Sequence, residues 1–179
     1  MLNYIKSRLI IGLLLILSLD LIALYVTTTT VTSMDDHLNS HLHHDIHLID
    51  QIHHDKNEFI LFHDLATDQL DVAIYEPNAI LFWRYNLSNM ISAPKGAQVN
   101  RCQMYQSSNY LLLWGLNEDL QASTLKLTFN DQTYLEDLSQ DLYFIKVYPL
   151  NGRSLEKINC SFYNDDDHDI SSYFFESFN

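Results

Sequence analysis

With 179 residues, 47% of them hydrophobic and 12% aromatic, the chain has apolar content for a folded domain plus extra segments, which excludes global disorder. The formal net charge of −13 has the wrong sign for wrapping phosphate backbones or adsorbing to anionic lipid, so nucleic acid is excluded as a partner. Only four glycines are present, with no P-loop, G-x-G-x-x-G, H-E-x-x-H or G-x-S-x-G motif, and the chain reads as a non-enzyme.

The first predicted element is residues 9–26, LIIGLLLILSLDLIALYV. At 1.5 Å per residue a helix of this length spans about 27 Å, close to the hydrocarbon thickness of a bilayer. Lys6 and Arg8 precede it and Asp35 and Asp36 follow it. The positive-inside rule therefore predicts a cytoplasmic N-terminus at 1–8, a single-pass transmembrane anchor at 9–26, and an extracellular remainder at the cell membrane. A compact small-x-small cleavage site is lacking, which favours an uncleaved signal-anchor over a removed signal peptide. Asp20 inside the span costs roughly 2.5–3.5 kcal/mol on insertion scales, and another transmembrane helix is one way to relieve it.

Seven of the nine histidines fall within 37–55, HLNSHLHHDIHLIDQIHHD. Leu38, Leu42, Ile46, Ile49 and Ile52 recur at spacings of four, four, three and three, which predicts a His-rich amphipathic helix over 34–56. On that helix His37, His41 and His44 share one flank of the stripe, while His43, His47 and His54 share the other. Imidazoles one turn apart suit a metal, so His37, His41, His44 and His47 are the candidate ligands, with Asp45 and Asp50 as oxygen donors. A structural zinc takes four ligands and a supporting second shell, whereas one exposed helix offers two or three per face. The expectation is no cofactor beyond exchangeable zinc, and a pH response from side chains that titrate near pH 6.5.

From residue 57 the pattern becomes strand-like. EFILFHD (58–64), QLDVAIYE (69–76) and AILFWRYN (79–86) predict a three-stranded β meander over 57–92, with turns at Asp64–Asp68 and Pro77-Asn78. Residues 87–98, containing Pro94 and Gly96, read as a connector. VNRCQMYQ, YLLLWGL, STLKLTF, QTYLED, LYFIKVYPL and LEKINCSFYN then predict a β-sandwich-like domain over 98–179. Asn130-Asp131 and Asn151-Gly152 are hairpin turns, and Trp114, Phe129, Phe144, Tyr148 and Phe162 are the expected core anchors. Cys102 and Cys160 share strand faces with apolar neighbours and read as small core residues; a disulfide fits only an extracellular domain. The fold class is α+β: two N-terminal helices, then a mainly antiparallel β domain.

The stretches LLLWGLNEDLQASTLKLTFNDQTYLEDLSQDLYFIKVYPLNGRSLEKINCSFYNDDDHDIS and EFILFHDLATDQLDVAIYEPNAILFWRYNL resemble small, uncharacterised membrane-anchored proteins of Gram-positive bacteria. Those proteins combine an apolar N-terminal anchor, a short β-rich middle and a final FYD…DI hairpin. The resemblance implies an extracellular C-terminal β domain and transfers no catalytic residue. The histidine cluster lies outside the shared pattern.

Asp165, Asp167, Asp169 and Glu176 occupy positions 1, 3, 5 and 12 of a calcium-loop template, but Ile170 stands where that loop needs glycine. An acidic, solvated hairpin tip is the plainer expectation. The functional expectation is a non-enzymatic, single-pass protein presenting a β domain for binding or sensing. Its partners are the membrane and a protein partner or second copy met through the transmembrane and juxtamembrane helices. The alternative is zinc, copper or nickel capture by the His-rich segment.

Overall fold

The computed structural model describes residues 2–92, 102–150, 152, 153, 155 and 157–175, with side chains described from residue 10 onward. The chain order is α1 (Leu2–Val26), α2 (Met34–Leu42), β1 (Ile46–His54), β2 (Asn57–Asp64), β3 (Gln69–Pro77), β4 (Tyr85–Ile91), β5 (Gln103–Gln106), β6 (Tyr110–Leu116), β7 (Thr124–Phe129), β8 (Gln132–Asp137), β9 (Tyr143–Pro149), β10 (Asn159–Tyr163) and α3 (Ser171–Phe174). Every strand pairing among these is antiparallel. The fold is therefore α+β with a mainly antiparallel β domain.

The strands form three sheets, ordered β1-β2-β3-β4, β5-β6-β9 and β10-β7-β8. Three apolar clusters stack them into four layers. Met34 and Leu38 of α2 pack on Ile60, Phe62, Ala73 and Tyr75, one face of the four-stranded sheet. Its opposite face offers Phe59, Leu61, Val72 and Ile74 to Leu112, Trp114 and Ile145 of the middle sheet. The other face of the middle sheet sets Leu111, Leu113, Phe144 and Tyr148 against Leu125, Leu127, Phe129 and Phe162. β2 and β6 are each covered on both sides, which explains their near-continuous apolar runs FILF and LLLWGL.

Three sequence expectations change. The 34–56 helix stops at Leu42, where His43 turns left-handed (φ 60°) and its N–H closes on the Asn39 carbonyl. Residues 46–54 instead become β1, hydrogen-bonded to β2. Ile46, Ile49 and Ile52 are β-branched and suit a strand, and a register shift between Leu48 and Asp50 lets the same stripe serve two faces. Ile46 and Leu48 pack toward α2, whereas Ile49 and Ile52 pack toward the middle sheet. Secondly, the meander over 57–92 is thereby a four-stranded sheet, and it shares a core with β6 and β9 rather than standing as a separate unit.

Thirdly, the strand expected at 79–86 is displaced to Tyr85–Ile91, running on into the stretch read as connector from residue 87. The Asn78 side chain accepts the N–H groups of Ile80 and Leu81 at 2.9 and 2.8 Å, folding 78–84 into a turn before pairing resumes at Pro77↔Tyr85. Asn130 and Asp131 both have positive φ (48° and 59°), the hairpin geometry expected between β7 and β8. Pro94, Gly96, Asn151 and Glu176 lie outside the described residues.

Asn117 closes the third layer's loop. Its side chain, fully buried, donates to the carbonyls of Ala122 and Leu138 (2.8 and 3.1 Å) and accepts the Ala122 N–H (2.9 Å). Asn117→Ala strands these groups in the interior and should cost about 1–3 kcal/mol. Chemical denaturation of the full chain in detergent measures it; an unchanged midpoint would show that the loop re-forms without this side chain.

Candidate functional site

The place where α1 meets the β domain is a densely hydrogen-bonded polar junction. A helix leaves its last four carbonyls without partners. Here the Ala23 carbonyl accepts the N–H and hydroxyl of Thr27, both at 3.1 Å, and the Leu24 carbonyl accepts the Thr28 hydroxyl at 2.8 Å. Arg84, distant in sequence and 8% exposed, completes the cap. Its guanidinium donates to the Tyr25 carbonyl at 2.8 Å, to the Thr28 carbonyl, and through Nε to the Thr28 hydroxyl at 2.5 Å. It also lies 3.9 Å from the centroid of the Tyr25 ring. A cation at a helix C-terminus is favoured by the helix dipole, and a planar fork can serve two carbonyls at once. Thr29 and Tyr85 exchange two backbone hydrogen bonds, 2.9 and 2.7 Å, so the exit of α1 is stitched to the start of β4.

Sequence reasoning placed Arg84 in a strand and assigned it no role. The available signal was a lone cation in an apolar run, FWRY, which requires partners once buried.

The histidines do not form one site. His37 Nδ1 lies 2.9 Å from the Tyr75 hydroxyl, and its ring stacks on His41 at 6.4 Å between centroids. His44 stands in the connector after α2, its Nε2 2.8 Å from Asp64 Oδ1 but without the angles of a hydrogen bond. His47 is on β1 opposite His63. His53 Nδ1 meets Glu58 Oε1 at 2.7 Å, and His63 Nε2 meets Asp68 Oδ1 at 2.8 Å. His54 borders an open depression of about 510 Å3 shared with Lys56, Asn109 and Tyr110. Of the four candidate ligands, only His37 and His41 are brought together. Among the described residues, no three His, Cys, Asp or Glu side chains are grouped to hold a metal. The break at His43 separates the flank that the helical reading assembled.

Burial, then the neighbouring His41 and Arg84, hold the His37 imidazole below its usual pKa against a backbone contribution from Thr27. A base whose pKa is lowered by folding binds more protons when unfolded. Its stabilising contribution is complete above about pH 6.5 and is lost as pH falls through the lowered value. His37→Gln should therefore flatten the part of the stability difference between about pH 7.5 and about pH 5.5 that His37 contributes. Unfolding midpoints of both chains at the two pH values provide the check; an identical pH dependence would mean His37 binds its proton equally well in the folded and unfolded chain.

The remaining candidates are structural in their contacts. Cys102 and Cys160 are free thiols that share the core between the middle and outer sheets. Burial, then a hydrogen bond with Cys160, push the Cys102 thiol well above its usual range, opposite to what a thiolate nucleophile needs. In the acidic run, Asn164 Oδ1 accepts the N–H groups of Asp166 and His168 (3.1 and 2.9 Å). Asp169 Oδ1 accepts the Ser171 N–H and hydroxyl (2.9 and 2.5 Å). These side chains hold their own turn. Asp165 and Asp167 are exposed there.

No family model, curated protein or solved structure matches this chain.

Proposed function

We propose that the protein is a non-enzymatic, single-pass membrane-anchored protein that presents its β domain outside the cell for binding or sensing. The carrying observation is the contrast between α1 and the body. From Ile10 to Val26 the large apolar side chains of α1 other than half-buried Leu24 stand 45–71% exposed, whereas Phe59, Leu61, Leu112, Leu125 and Phe162 are fully buried. Contiguous apolar surface of this extent needs a covering medium, and acyl chains supply one around a helix. Among the described residues no helix is long and apolar enough to cross a membrane. The described side chains of α1 begin at Ile10, while its helical backbone continues to Leu2, and Leu9 extends the apolar run.

The test is topological. Protease added to intact cells or protoplasts expressing the full chain should digest residues 34–179, because Lys6 and Arg8 hold the N-terminus inside. Protection of that region until the cells are lysed would overturn the orientation.

A further inference from the structure

We infer that the turn Ala79–Trp83 is a second, interfacial contact with the bilayer, seated at the headgroup–acyl boundary of the leaflet from which α1 emerges. The inference rests on the anchored reading and names a lipid-facing surface beyond the helix. Ile80, Phe82 and Trp83 are 66%, 77% and 56% exposed, although they lie in a protein that buries its other tryptophan to 2%. The Phe82 and Trp83 rings pack edge to face at 4.9 Å and form one apolar tip.

The tip is held rather than loose. Asn78, 6% exposed, accepts the Ile80 and Leu81 N–H groups, donates its own N–H to the Arg84 carbonyl at 2.7 Å and is braced by Asn86 at 3.2 Å. The Arg84 N–H closes the turn on the Leu81 carbonyl at 2.7 Å. Ordering an exposed aromatic pair in this way leaves little conformational entropy to lose on burial.

Position selects the occupant. The residue that ends the turn, Arg84, is the one clamped on Tyr25 and Thr28, and its successor Tyr85 pairs with Thr29. The base of the tip is therefore level with the last turn of α1, where an anchor leaves the hydrocarbon. Tryptophan and its apolar neighbours are favoured at that depth. Residues 77–83, PNAILFW, carry no charge, so the tip escapes the repulsion that the acidic body meets at an anionic surface. A rigid two-point attachment would hold the four layers at a defined tilt to the membrane instead of leaving them on a tether.

The full chain reconstituted in phosphatidylcholine vesicles tests this, with lipids brominated either near the top or at the end of the acyl chains. The chain has two tryptophans, so Trp83→Phe leaves Trp114 alone as the internal control. Wild-type emission should be quenched more strongly by the shallow bromines than by the deep ones. The Trp83→Phe chain should lose that shallow-bromine sensitivity. If the chain stays in the vesicles through an alkaline wash and its emission ignores both lipids, the tip faces water and the inference fails while the anchor stands. Shielding of Trp83 from an aqueous quencher without bromine quenching would assign the tip to a second copy or another protein, and also overturns it. Release of the chain by the wash would remove the anchor and this contact together.

Discussion

Replacing Trp114 with alanine should lower the unfolding free energy of the full chain by about 3–5 kcal/mol, the range for truncating a buried aromatic. The side chain is 2% exposed and lies between the four-stranded and middle sheets, among Phe59, Leu70, Val72 and Ile145. Its Nε1 donates to the Leu70 carbonyl at 3.0 Å, bridging β6 to the start of β3. Truncation opens a cavity and leaves that carbonyl without its partner. Trp114→Phe keeps most of the apolar contact and loses the hydrogen bond, for a smaller loss of about 1 kcal/mol. Urea unfolding in detergent followed by near-ultraviolet circular dichroism distinguishes the two. A loss under about 1 kcal/mol for the alanine variant would show that the two sheets are not one cooperative body.

Phe162→Ala should be of similar size, about 3–5 kcal/mol, for a different reason. Phe162 is fully buried on β10 opposite Leu125, and its ring stacks on Phe174 at 3.9 Å and 13°. Phe144 stands 5.9 Å away on β9. The substitution therefore loosens the outer sheet and removes the surface on which α3 rests. Limited proteolysis should cut 171–175 in the variant at denaturant concentrations where the wild type resists. Equal resistance in both chains would place the anchorage of α3 elsewhere.

How far residues could be read depended on whether their signal was local. Alternation in STLKLTF described β7 correctly, and the five aromatic anchors, Trp114, Phe129, Phe144, Tyr148 and Phe162, are all buried. The Asn130-Asp131 turn is equally local, since both residues tolerate positive φ. The His-rich stretch was misread because its apolar positions satisfy two periods at once. Helical spacing joins Leu38 to Ile52, yet a register shift in β1 keeps Ile46 and Leu48 on one face and turns Ile49 and Ile52 to the other. Choosing between these needs β2, which supplies the hydrogen-bonding edge and lies outside any local window.

Several features belonged to the sequence by itself: a helix at the N-terminus, a mainly antiparallel β body, turn chemistry at Asn130-Asp131, and the five aromatic anchors of the core. Each comes from composition and spacing within a few residues, where backbone preference and side-chain polarity act directly. Only the tertiary structure decided that β1 is a strand, that the two β regions share a core through Trp114, and that the histidines disperse among Tyr75, Asp64, Glu58 and Asp68. It alone brought Arg84 to the end of α1 and set the Phe82–Trp83 tip beside it. The physical reason is common to all of these. A buried guanidinium, a strand edge and an imidazole each take whichever partner the packing places within reach, and that partner is set by sheet pairing across tens of residues rather than by neighbours in the chain.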